Sequence, residues 1–195
     1  MRSLRLVLPA AAFLAMASAA EAHTGVGHGH AFTSGFAHPL GGFDHLLAMV
    51  AIGLWAGLAG GRALWLWPAS FVVAMAVGGT LGMAGVPMPL VEQAIVASVV
   101  VIGLAAALAL SPNVAVGCAL AALAGLLHGH AHGTEIPADA SGLAYAGGFA
   151  MATTLLHAVG IAVTVLAARF AMPIAARAAG GLTAVAGVVL AARFF

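Results

Sequence analysis

"HPLGGFDHLLAMVAIGLWAGLAG", residues 38–60, decides the fold. From Leu46 onward it is an uncharged apolar run suited to lipid. At its head stand His38, Asp44 and His45, polar groups that cost free energy in a bilayer. Starting the span after His45 leaves residues 46–59, only fourteen, where a hydrocarbon core needs about 20. The span must therefore take in some or all of residues 38–45. A second stretch repeats the arithmetic: Val114 to Leu127 is again fourteen residues, so "HGHAHG", residues 128–133, is needed to complete a crossing. Both polar motifs belong inside or at the rim of a membrane.

The composition agrees. The chain has 195 residues, 64% hydrophobic and 6% charged, with a mean hydropathy of +1.15; soluble domains are about half apolar. This is the composition of an integral membrane protein. No segment shows the dyad alternation of a membrane barrel, so the spans are expected to be helical. Gly, Pro and Arg punctuators divide the chain into six candidate spans, roughly 36–59, 64–84, 91–110, 113–133, 142–167 and 172–193. The predicted fold is an all-α bundle of six transmembrane helices, packed closely through small residues such as those of "AVGGTLGMAG".

Residues 1–22 read as a cleavable signal peptide: Arg2 and Arg5, an apolar run from Leu6 to Ala17, then Ala20-Glu21-Ala22. Residues 23–35 form a His- and Gly-rich arm, and residues 36–195 the membrane domain. Removing the leader leaves four arginines against four acids and no lysine, which excludes an electrostatic case for nucleic acid. The single Cys118 rules out a disulfide framework and a paired-thiolate metal site, and reads as a small core residue.

A leader that delivers His23 to the periplasmic side of a bacterial inner membrane puts Arg62, Arg169 and Arg177 in the cytoplasm, as the positive-inside rule expects; only Arg193 falls on the other side. The first span then runs inward and the fourth outward. Both polar motifs are thereby brought to the outer surface, with Glu92 at the same level and His157 deeper. Seven residues separate His38 from His45, which returns to nearly one helix face. His128, His132 and Glu135 also share a face if the helix continues through Gly129 and Gly133; these glycines and Gly41-Gly42 equally permit local unwinding.

Imidazole with carboxylate and no thiolate suits divalent nickel, cobalt, zinc or copper, and Asp44 or Glu135 would either bind directly or orient a histidine. Several residues also have plainer readings. His157 alone is equally a packed histidine bonded to a carbonyl, Glu92 a solvated helix-start acid, and the methionines packing rather than soft ligands. The arm "HTGVGHGH", with His23, His28 and His30, is either a metal-collecting segment or a linker.

The motifs resemble those of the HupE/UreJ family of membrane proteins associated with hydrogenase and urease systems and regarded as nickel, sometimes cobalt, permeases. "HPLGGFDH" fits H-x5-D-H, and "LHGHAHGTE", residues 127–135, fits F-H-G-x-A-x-G-E with one extra residue before Glu135. The resemblance covers the whole mature chain. It implies metal-site roles for His38, Asp44, His45, His128 and Glu135, with His130 and His132 at variable positions where they either add ligands or alter metal preference, and Glu92 similar to an acid near the third span. Leu127 stands where the family often has Phe. The implied activity is import of a divalent transition metal, most often nickel, through the lipid bilayer without nucleotide hydrolysis. The ion is the cargo rather than a resident cofactor, and reaches enzymes such as hydrogenase or urease indirectly. No phosphate-binding loop appears in the sequence. An enzyme with a membrane metal centre, a haem protein using His45 or His128 opposite His157, and a metal-holding protein without transport are the rival readings; the first is disfavoured because the histidines are fewer than a two-metal centre needs.

Overall fold

The computed structural model describes residues 31–136 and 141–194, so residues 1–22, read above as a signal peptide, and His23, His28 and His30 lie outside the described residues. Within these limits the chain forms seven α-helices and a short 3-10 turn, with no strand. They are α1 (Ala31–Gly41), α2 (Phe43–Ala59), α3 (Ala63–Met83), α4 (Val91–Ala107), α5 (Val114–Thr134), α6 (Gly142–Arg169) and α7 (Pro173–Ala191). Helix α1 begins at Ala31, inside the segment read as an arm.

Four helices are long and apolar enough to cross a membrane: α3, α5, α6 and Ile174–Phe194. The bent pair α1 and α2 makes a fifth crossing if counted as one broken span. Helix α4 is apolar but has only 17 residues, about 25 Å at 1.5 Å per residue. The described residues are therefore all-helical, and the chain is a multi-pass membrane protein.

Helix ends follow local chemistry. Asn113 caps α5, its Oδ1 accepting the Val116 N–H at 2.9 Å. Gly60 and Gly61 both take positive φ, 69° and 53°, which lets α2 turn into α3 within a few residues. Between α1 and α2 the axis bends by 84° at Gly42, whose backbone is extended. Pro39 inside α1 and the Gly41-Gly42 pair weaken helical continuity here.

Packing is close because glycines remove side chains where helices meet. The most extensive pairing is α3 with α5. A Cβ on Gly125 would collide with the Phe71 carbonyl, and one on Gly129 with the Met75 carbonyl. Helix α6 receives both α1 and α2, and α4 pairs with α7. Leu gains nothing from Leu in lipid, so backbone approach and interdigitation hold such a bundle. The core runs through Met49, Ile52, Leu54, Trp55, Trp67 and Phe71, all essentially inaccessible.

Candidate metal site

Three elements bring the polar motifs together: the end of α1, the start of α2 and the last turns of α5. Helix α5 stays helical through Gly129 and Gly133 to Thr134, so His128 and His132 do share a face, and Glu135 follows as its C-cap. A carboxylate is disfavoured at the negative end of a helix unless cationic or N–H groups offset it. Here they do. His38 Nε2 donates to Glu135 Oε2 at 3.1 Å, and His132 Nδ1 lies 3.8 Å from the same oxygen. One ligand atom from each of His38, His132 and Glu135 falls within 4.8 Å of the others. His132, then His38, hold the Glu135 carboxyl well below the usual carboxylate range, against the opposing effect of burial.

The 84° bend corrects one expectation. His38 and His45 do not share a helix face, because the helix breaks between them; they converge by tertiary packing on His132. The His38 ring meets the His132 ring edge-on with centroids 4.7 Å apart, and His45 meets the same ring at 4.1 Å. His45 in turn contacts His128 at 4.7 Å. The imidazoles thus form a row, His38, His132, His45, His128, running from the rim into the bundle: His38 is 31% exposed in its side chain and His128 fully buried.

Asp44 sits in the first turn of α2 and serves two donors. Its Oδ1 accepts the His45 backbone N–H at 2.9 Å, an amide without an intrahelical partner, and the His45 Nδ1–H at 2.7 Å. The carboxylate only accepts, so Nδ1 of His45 carries the proton and Nε2 keeps its lone pair. Nε2 is buried and has no hydrogen-bond partner. His128 follows the same logic. Ser98 spends its hydroxyl proton on the Ile95 carbonyl at 2.7 Å and therefore accepts from His128 Nε2–H at 3.2 Å, leaving His128 Nδ1 unpartnered. Such second contacts fix an imidazole's tautomer and orientation toward a metal.

The remaining candidates separate. His130 turns to the opposite side of α5, where Nε2–H donates to the Val86 carbonyl at 2.7 Å and ties down the α3–α4 connection. Glu92 is exposed in the first turn of α4 and makes no contact with the cluster. His157 lies deeper on α6, buried, with both ring nitrogens unpartnered rather than bonded to a carbonyl. The ring of Phe71 contacts both His157, at 5.1 Å, and His128, at 5.7 Å.

Sequence reasoning missed Ser98, Phe71, Phe149 and Tyr145. Phe149 packs on His132 with centroids 4.2 Å apart, and Tyr145 stands 5.8 Å from His38. A lone serine within "IVASVVV" and the chain's single tyrosine were visible signals. The phenylalanines carry none, because an aromatic in an apolar run is the ordinary content of a span.

Comparison with known proteins places the chain in a family. Protein HupE of Rhizobium leguminosarum bv. viciae is 42% identical over 179 residues, which are 92% of this chain and 93% of that protein. No solved structure matches the chain. The family described as HupE / UreJ protein matches residues 11–190, almost the whole length. The chain belongs to the HupE/UreJ family.

Proposed function

We propose that the protein is a permease that imports a divalent transition metal, with nickel as its principal cargo and cobalt as the alternative. The observation that carries this reading is the row of imidazoles that starts at the His38, His132 and Glu135 cluster and continues through His45 to His128, each inner ring presenting a buried nitrogen without a partner. Unpaired buried nitrogens cost about 1–3 kcal/mol apiece. A chain of them leading inward suits an ion that exchanges water for imidazole step by step. Glu135 and Asp44 offset the ion's charge, and labile nitrogen and carboxylate ligands allow release, which a closed thiolate cage does not.

In this proposal six crossings span the bacterial inner membrane, with the bent α1–α2 pair and the short α4 each counted as one. The leader is cleaved and the mature N-terminus, with His23, faces the periplasm. The His cluster is then the outer mouth, and His130 and Glu92 stand beside the path rather than on it. Membership of the HupE/UreJ family supports transport over catalysis. The haem alternative fits less well: His45 and His128 already touch each other, and Phe71 packs against both His128 and His157.

The test is uptake of radiolabelled nickel at submicromolar concentration with excess magnesium, in cells making the native protein or Asp44→Ala at equal membrane abundance. Uptake above the vector control that vanishes in the variant is the expected result, and competition by cobalt, zinc and copper then ranks the cargoes. A well-inserted native protein that moves no nickel would overturn the nickel reading.

A further inference from the structure

The imidazole row does not end at His128. Beyond it, His157 is 1% exposed and neither ring nitrogen has a hydrogen-bond partner. One turn earlier on α6, the fully buried Thr153 directs its hydroxyl to the Met75 sulfur at 3.6 Å. One turn before Met75 on α3, Phe71 sets its ring edge-on to His157 with centroids 5.1 Å apart. The pair Phe71 and Met75 from α3 therefore faces the pair Thr153 and His157 from α6. Their meeting point adjoins His128, which touches the same Phe71 ring at 5.7 Å. Asp44 and Glu135 are engaged instead with His45, His38 and His132 toward the rim.

The sequence gives Met75 no distinction from the other methionines. The hydroxyl contact does, because it fixes the sulfur to a residue one turn along α6 from His157, an imidazole that is buried and unsatisfied at both nitrogens. Thioether and imidazole are ligands for the softer first-row ions and poor ones for magnesium or calcium, which prefer oxygen. Both are neutral.

From this arrangement, and resting on the permease reading above, we infer that Met75 and His157 form a second, inner station for the transported ion, a carboxylate-free nitrogen and sulfur site. Its chemistry assigns it two consequences. Neutral ligands leave the ion's charge uncompensated, so the ion is held less firmly than at the outer cluster and is passed on when another arrives behind it. The sulfur also gives the pathway a point that favours soft ions after the outer carboxylates have attracted any divalent cation. Thr153 acts as a positioning residue for the sulfur.

The experiment is nickel uptake as initial rate against concentration, in cells making the native chain, Met75→Leu, His157→Gln or Thr153→Val at equal membrane abundance. Leu replaces Met at nearly constant volume, so Met75→Leu preserves packing while removing the sulfur. Met75→Leu and His157→Gln are each expected to lower the maximal rate about tenfold or more. The half-saturating concentration, set at the outer cluster, should stay unchanged. Thr153→Val, which keeps the sulfur but removes the hydroxyl that positions it, should lower the maximal rate by less than Met75→Leu does. Native rates in Met75→Leu, or a fall in Thr153→Val as deep as that in Met75→Leu, would overturn the inner station, since the first removes any role for sulfur and the second reduces the chamber to packing. A failure of the permease reading looks different: the native chain itself then moves no nickel.

Discussion

At the end of the bundle formed by α1, the start of α2 and the close of α5, His45, His128, His130 and His132 all hold buried ring nitrogens without partners. At the opposite end, Trp55 gives its indole N–H to the Leu110 carbonyl at 2.7 Å and Trp67 gives its own to the Val114 carbonyl at 3.1 Å. The two indoles pack together with ring centroids 4.1 Å apart. Both ends bury polar atoms in a low-dielectric interior, and one of them leaves those atoms unsatisfied. A buried donor or acceptor without a partner costs free energy, so an end that satisfies both of its buried indoles is built for closure and stability. An end that leaves a file of lone pairs open is built to receive something.

This contrast is most sharply broken at His132, which contacts His38, His45 and Phe149 and lies near Glu135. His132→Ala is expected to bring nickel uptake to the vector level while the purified protein keeps its thermal unfolding midpoint in detergent within a few degrees. A midpoint that falls together with uptake would place structural weight at the His end and weaken the comparison.

The converse experiment is Trp67→Ala. The Trp67 ring lies so closely on α5 that a Cβ on Gly117 would collide with it, and large-to-small changes at such positions cost about 3–5 kcal/mol. The expected outcome is a much lower unfolding midpoint and reduced membrane abundance, with uptake per inserted molecule retained. Loss of uptake in molecules that remain folded would show the Trp end to be part of the path.

His130 sharpens the comparison from within the His end, since it is a histidine that serves structure. His130→Ala frees the Val86 carbonyl and is expected to cost about 1–3 kcal/mol of stability. The half-saturating nickel concentration should not move. A shift in that concentration would make His130 a ligand after all.

The site was partly legible because cost is legible. Asp44 with His45, and His128 in "HGHAHG", sit where the hydrophobic run is too short without them, and that arithmetic marks them before any geometry is known. His132 stood in the same motif, but nothing in the spacing singled it out as the hub of the row. The helical periodicity that grouped His38 with His45 failed, since Gly41-Gly42 and Pro39 break the helix between them. Ser98 lies thirty residues from His128 along the chain, and no local pattern announces such a contact.

By itself the sequence determined that the chain is a helical membrane protein, which residues carry the cost of polarity within it, and that its polar motifs offer imidazole and carboxylate rather than thiolate. These follow from composition and run length, which act on each segment separately. Only the tertiary structure decided that His38 and His45 converge on His132 across an 84° bend, that His130 faces away while His132 stands central, and that Thr153 meets Met75 one turn from where Phe71 meets His157. These depend on how closely helices approach, and glycines such as Gly125 and Gly129 set that distance through contacts between residues far apart in the chain.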